Sequence, residues 1–128
     1  MRKLSVQLLL VAIIGSLAWA ESLPTIGEIL SDPQDYHAHL VTLKGVIRQV
    51  KEGPSPIVSE SGLCYGAAYF ILEDATGSMP IEFLGVCGRG PDAAPHLSEG
   101  DGVTVYATVN WNHQYPGSVY AIGIKLSK

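Results

Sequence analysis

Basic residues are few in this chain. Its 128 residues carry 8 Lys and Arg against 12 Asp and Glu, and Lys44, Arg48, Lys51, Arg89, Lys125 and Lys128 are scattered along it. Attraction to phosphates rests on Lys and Arg releasing condensed counterions, so unassisted nucleic-acid binding starts at a disadvantage. The signatures of catalysis are also missing. There is no G-x-S-x-G, no H-E-x-x-H and no glycine-rich phosphate loop, and with them go the hydrolases, zinc proteases and nucleotide hydrolases those motifs serve. The acidic pairs Glu73-Asp74 and Glu99-x-Asp101 border turns, and turn chemistry accounts for them. The expectation is a protein that is not an enzyme.

Metal-binding patterns are equally thin. The only cysteines are Cys64 and Cys87, with no C-x-x-C spacing for a zinc knuckle or a redox pair. His37 and His39 would point the same way on an extended strand, which is half of a metal site. No Asp, Glu or Cys stands where it would complete the set, so these two read as solvated turn histidines. His96 is a lone loop residue. No metal and no cofactor is expected. Internal repeats and low-complexity tracts are absent, and no second long apolar run follows residue 20.

The first twenty residues are distinctive. Arg2 and Lys3 give a positive start, Leu8 to Ala20 is nearly all apolar, and Ala18-Trp19-Ala20 is a small-x-small cleavage site. This is the anatomy of a secretory signal peptide. The apolar run is about 13 residues, short of the roughly 20 that span a bilayer, so cleavage is expected rather than anchoring. The division is then a signal over 1–20 and one domain over 21–128, and the protein is periplasmic or secreted. The signal takes two basic residues and no acidic ones, so the remaining domain carries 6 basic against 12 acidic residues.

Beyond the signal, Thr25 and Glu28 have capping-box spacing at the start of a short helix, with Ile26, Ile29 and Leu30 as its apolar stripe. Asp32-Pro33 ends it. Leu40 to Lys51 alternates as a strand and meets Gly45, where a bulge or bend is expected. Lys51 to Gly66 reads as a long loop rich in Pro, Ser, Glu and Gly. Ala67 to Asp74 and Ser78 to Gly85 form a hairpin, and Gly88 to Gly100 reads as a second loop. Asp101 to Asn110 alternates strongly, and Ser118 to Ser127 is the last strand. The pattern is all-β, with five strands and a short N-terminal helix.

Three segments carry a resemblance: Val41-Thr42-Leu43-Lys44-Gly45-Val46, Phe70-Ile71-Leu72-Glu73-Asp74-Ala75-Thr76-Gly77-Ser78, and Glu99-Gly100-Asp101-Gly102-Val103-Thr104-Val105. Over roughly Leu40 to Lys125 the chain resembles the OB-fold, of the nucleic-acid-binding, tRNA-anticodon-binding-like type. The resemblance implies a five-stranded Greek-key barrel. One fold hosts many sites, so it says less about function.

The hairpin register follows from the turn and from burial. Asp74-Ala75-Thr76-Gly77 suits a type I turn, with Asp first and Gly fourth. Phe70 then faces Ile81, Leu72 faces Met79 and Ala68 faces Phe83, which makes one face wholly apolar. A slip of one residue would set Phe70 against Glu82, and a buried face forbids that. Carried outward in the same register, the two arms place Cys64 opposite Cys87, at a separation a disulfide can bridge. Export favours the same pairing. A structural disulfide is expected.

In OB-folds ligands usually lie on the outer face of the second and third strands, beside the loops flanking them. Here that face would present Tyr65, Ala67, Tyr69, Ile71 and Glu73 against Val86, Leu84, Glu82, Pro80 and Ser78, and the last loop would add Trp111, His113 and Tyr115. Tyr65, Tyr69, Trp111 and Tyr115 could form an aromatic platform, with Glu82 and His113 as polar partners. Tyr69 and Trp111 could equally cover the barrel exterior beneath the 51–66 loop. The leading expectation is a non-catalytic exported binding module for an oligosaccharide, a protein or a nucleic acid. The alternative is a cofactor carrier or assembly factor similar to the OB-fold haem chaperones of cytochrome c maturation. Those carry a ligating histidine after the barrel, and no histidine follows His113 here.

Overall fold

A computed structural model describes residues 23–112 and 118–128. The expected signal segment lies outside them, as do His113 and Tyr115. Five long strands close into a barrel. They are β1 (Leu40–Glu52), β4 (Ala68–Asp74), β5 (Gly77–Phe83), β7 (Gly102–Trp111) and β8 (Val119–Ser127), and the order around the barrel is β1-β4-β5-β8-β7. The pairings are antiparallel except β5 with β8, which is parallel. Alternation fills the interior. Val41, Leu43 and Ile47 of β1, Phe70 and Leu72 of β4, Met79, Ile81 and Phe83 of β5, and Val103, Val105 and Val109 of β7 are all buried.

In a closed barrel every strand has two neighbours, and on β1 the two ladders overlap at Val46, which faces Gly102 on β7 and Glu73 on β4. Gly45 beside it makes room: a Cβ there would sit 2.6 Å from the Glu73 carbonyl oxygen. Its role is close backbone approach, and the expected bulge is not at Gly45. The register shift falls between Arg48 and Lys51, where Gln49 takes φ 52. The extra residue there bends β1 around the barrel after the crowded approach has been passed.

The hairpin of β4 and β5 pairs as the turn and the buried face require, from Ala68 with Phe83 to Asp74 with Gly77. Beyond it, Cys64 faces Cys87 and the two are disulfide-bonded. The 51–66 segment is more ordered than a loop. It contains β2 (Ile57–Ser59) and β3 (Gly62–Tyr65), which with β6 (Val86–Cys87) make a three-stranded sheet beside the barrel. These strands are too short for alternation to stand out from their Pro, Ser and Gly surroundings. Ala67, expected on the outer face, is buried. Gly66 at φ 82 breaks the alternation, and the Gly53 backbone N–H donates to the Ala67 carbonyl at 2.8 Å.

A short helix, α1 (Ile26–Ser31), adds Ile26 and Ile29 to the barrel core. Leu30 is exposed, so the stripe is narrower than the sequence pattern suggests. Every backbone N–H of its first three residues has a side-chain acceptor. The Ile26 N–H donates to Asp74 Oδ2 at 2.9 Å, that of Gly27 to Thr76 Oγ1 at 2.7 Å, and that of Glu28 to Thr25 Oγ1 at 3.2 Å. Two of these acceptors come from the hairpin turn. The same residues that set the strand register therefore dock the helix, removing the orphan donors of its N-terminus. Burial pushes the Asp74 carboxyl up, but hydrogen bonds from Ile26, Thr76 and Gly77 outweigh it and hold the group below the ordinary aspartate range. A second helical turn, α2 (Pro33–Tyr36), begins with Pro33 at its first position, where a missing N–H costs nothing.

Candidate binding groove on the barrel face

The outward residues of four neighbouring strands meet in rows. Lys51 on β1 faces Tyr69 on β4, Tyr69 faces Glu82 on β5, and Glu82 faces Ile122 on β8. One step along, Arg48 faces Ile71 and Ile71 faces Pro80. Tyr120 leads into this face from β8, just before Ala121, which faces Ile81. Part of this surface is a groove of about 710 Å³ whose lining includes Gln49, Lys51, Tyr69, Pro80, Glu82 and Tyr120. Tyr69 is 43% exposed and Tyr120 37% exposed, large values for rings on a sheet. Their strands are separated only by β5, and Tyr120 lies two residues before Ile122, the β8 residue in line with Tyr69, so the two backbones stand about 12 Å apart diagonally across the sheet.

The bulge contributes directly. By taking a left-handed conformation, Gln49 shifts the register so that Lys51 rather than a nearer residue faces Tyr69. Bulges re-aim side chains in this way beside functional surfaces. The groove's formal charges cancel, one from Lys51 and one from Glu82, and neither enters an ion pair among the described residues. Arg48 lies nearby, but its Nε sits 3.7 Å from Glu73 Oε1. An exposed pair of this kind adds little stability, though it does offset the cation.

Of the residues expected to form the site, Tyr69 and Glu82 lie together on this groove. Tyr65 does not line it; it pairs with Val86 in the small sheet. Trp111 is the last residue of β7 and continues the inward row of Val103, Val105, Ala107 and Val109. It packs partly buried against the core, and its backbone N–H donates to His37 Nδ1 at 3.0 Å. His37 therefore ties the end of β7 to the chain that follows α2. His113 and Tyr115 fall outside the described residues. Tyr120, Gln49 and Lys51 were missed by sequence reasoning. Tyr120 stood between inward Val119 and Ala121, which marks it as outward, but its neighbourhood depends on the parallel β5–β8 pairing.

Among the described residues no group of three His, Cys, Asp or Glu side chains could hold a metal ion. Likewise, no helix there is long and apolar enough to cross a membrane. The groove offers two phenol rings, one amide, one carboxylate and one ammonium. That set can stack on flat or ring-shaped ligands and hydrogen-bond their edges.

No protein-family model matches the chain, and no curated protein matches it in sequence. Solved structures do resemble it. Asparaginyl-tRNA synthetase from Pyrococcus horikoshii matches with a TM-score of 0.58 and 16% identity, over 84% of this chain and 22% of that one. A chain assigned as an aspartyl-tRNA synthetase from Leishmania major Friedlin matches with a TM-score of 0.55 and 17% identity, over 84% of this chain and 21% of that one. The chain thus spans about a fifth of the length of these enzymes. With the closed barrel and its strand order, the likeness defines the class: this is an all-β, five-stranded OB-fold.

Proposed function

We propose that the protein is an exported, non-catalytic OB-fold binding module that takes an oligomeric ligand across the outer face of β4 and β5. The observation that carries the reading is the groove between Tyr69 and Tyr120, two exposed rings above a floor of Ile71, Pro80 and Glu82. Its volume is within the range of small-ligand clefts. Ring faces of this kind stack on sugars as well as on bases. Because Lys51 and Glu82 cancel, the groove attracts no polyanion through net charge, and an oligosaccharide fits its chemistry best. Export is supported by the 1–20 segment and by the disulfide, which persists in oxidising compartments.

A nucleic-acid ligand is the second reading, favoured by the likeness to tRNA synthetases. Both are tested with one panel of neutral glycans and single-stranded oligonucleotides, on the wild type and on Tyr69→Ala and Tyr120→Ala. Each substitution should weaken the true ligand roughly tenfold, as loss of one stacking contact does, with thermal stability nearly unchanged. Salt separates the readings: affinity flat from low to high salt supports a glycan, and affinity that falls steeply supports nucleic acid. If neither variant alters any binding signal, the groove is not the site.

A further inference from the structure

A second groove lies behind the small sheet and shares no lining residue with the first. Its volume is about 730 Å³. The disulfide-stapled strands β3 and β6 form one wall, and the ends of β5 and β8 form the other. A register shift in β8 shapes it. Tyr106 faces Lys125 and Ala107 faces Gly123, so Ile124 is the extra residue of a bulge. Ile124 keeps the outward place that alternation gives it and is 47% exposed, while the extra residue turns Lys125, which would otherwise point inward, out beside it. Leu84 is 37% exposed beside them, its backbone N–H donating to the Gly123 carbonyl at 3.1 Å. Ile57 and Val86 complete an apolar channel.

The charges of this groove run against the rest of the chain. Acidic residues outnumber basic ones 12 to 8 overall, yet among the described residues of the lining the charged ones are Arg89 and Lys125. Neither is in an ion pair; the two pairs among the described residues use Arg48 and Lys128. An apolar channel whose described lining holds two cations outside any ion pair and no carboxylate is complementary to a molecule with an apolar body and an anionic head. We propose that this groove binds a single-chain anionic amphiphile of the fatty-acid type. Its acyl chain lies along Leu84, Ile124 and Ile57, and its carboxylate is met by Arg89 and Lys125. The bridge between Cys64 and Cys87 holds the wall in place before the ligand arrives, which lowers the ordering cost of binding.

The test is calorimetric titration of the purified protein with three probes of equal chain length, each below its micelle concentration: dodecanoate, dodecyl maltoside and dodecyltrimethylammonium. Dodecanoate should bind at one site, about tenfold or more tighter than the uncharged and cationic probes, as expected for charge-assisted hydrogen bonds to a carboxylate. The double variant Arg89→Gln with Lys125→Gln should remove that preference while keeping the wild-type melting temperature. Arg48→Gln, which removes a cation elsewhere, should leave it intact. Leu84→Gln should weaken all three probes together. The proposal is overturned by absent or non-saturable dodecanoate binding, by equal affinities for the three probes, or by equal losses in Arg48→Gln and the double variant. It is also overturned if light scattering shows a dimer that Leu84→Gln dissociates, since a second copy would then occupy the groove.

Discussion

Asp74 joins three parts of the fold, and replacing it by Asn tests whether that junction holds the molecule together. One oxygen accepts the Ile26 N–H that would otherwise be orphaned at the start of α1. The other accepts from the backbone N–H groups of Thr76 at 2.7 Å and Gly77 at 3.1 Å, which fixes the turn. An amide supplies one acceptor oxygen and must aim an NH2 at the remaining donors. Hydrogen bonds to a charged group contribute about 1.5–3 kcal/mol each when one is lost, and water reaches part of this site, so Asp74→Asn should cost about 2 kcal/mol at pH 7. For a domain of this size that lowers Tm by about 8–16 °C. The pH dependence is the sharper readout. The folded carboxyl sits below the ordinary range, whereas the unfolded one titrates near 3.9. Its stabilisation is therefore complete above the unfolded value and lost as pH falls through the folded one. Asp101 is also held low, through hydrogen bonds from Ser98 and Lys128, so acid weakens wild type and variant alike; only the gap between them reports Asp74. Urea melts at pH 7 and near pH 3 should show that gap shrinking. A gap that stays constant, or one below about 0.5 kcal/mol at pH 7, would refute the reasoning.

Replacing both cysteines with serine should cost about 3 kcal/mol, since the bridge closes a separation of 23 residues. Denaturant melts would detect this, and hydrogen exchange should show the loss concentrated in β2, β3 and β6 rather than in the barrel. Gly45→Ala should destabilise by about 1–3 kcal/mol, because its Cβ would lie 2.6 Å from a carbonyl oxygen and 3.0 Å from Leu72 Cγ. An unchanged melting curve for that variant would show that β1 and β4 can separate without cost.

The parts of this fold that were readable in the sequence share a cause. A buried face has only one acceptable register, so Phe70, Leu72, Met79, Ile81 and Phe83 specified the hairpin and, through it, the cysteine pairing. The helix cap was legible for a similar local reason, as Thr25 lies three residues before its donor. What escaped was non-local or too short. The bulge fell at Gln49 rather than at the more permissive Gly45, because Gly45 was needed where two backbones approach. Trp111 looked like a loop residue, but β7 ran long enough to carry it into the inward row. The small sheet rests on strands of 2 to 4 residues, below the length at which a period of two can be recognised. Tyr120 had a visible parity, but its partners in the groove come from strands far away in sequence.

The balance of charge also bears on which ligand the proposed tyrosine groove would take. The excess of acidic residues sets a repulsive background for any polyanion, but at physiological salt that background is screened beyond about 8 Å. The groups within that distance decide. Lys51 and Glu82 flank Tyr69 on opposite strands, so an anionic unit drawn toward the ammonium on one side of the ring meets a carboxylate on the other. A neutral unit stacked on Tyr69 meets a donor on one edge and an acceptor on the other, and both can hydrogen-bond to hydroxyl groups. Glu82→Gln separates these cases. It removes the repulsion but keeps an acceptor, so it should strengthen binding of a phosphate-bearing ligand and weaken or leave unchanged that of a neutral one. Strengthened oligonucleotide binding with no glycan signal would reverse the assignment in favour of nucleic acid.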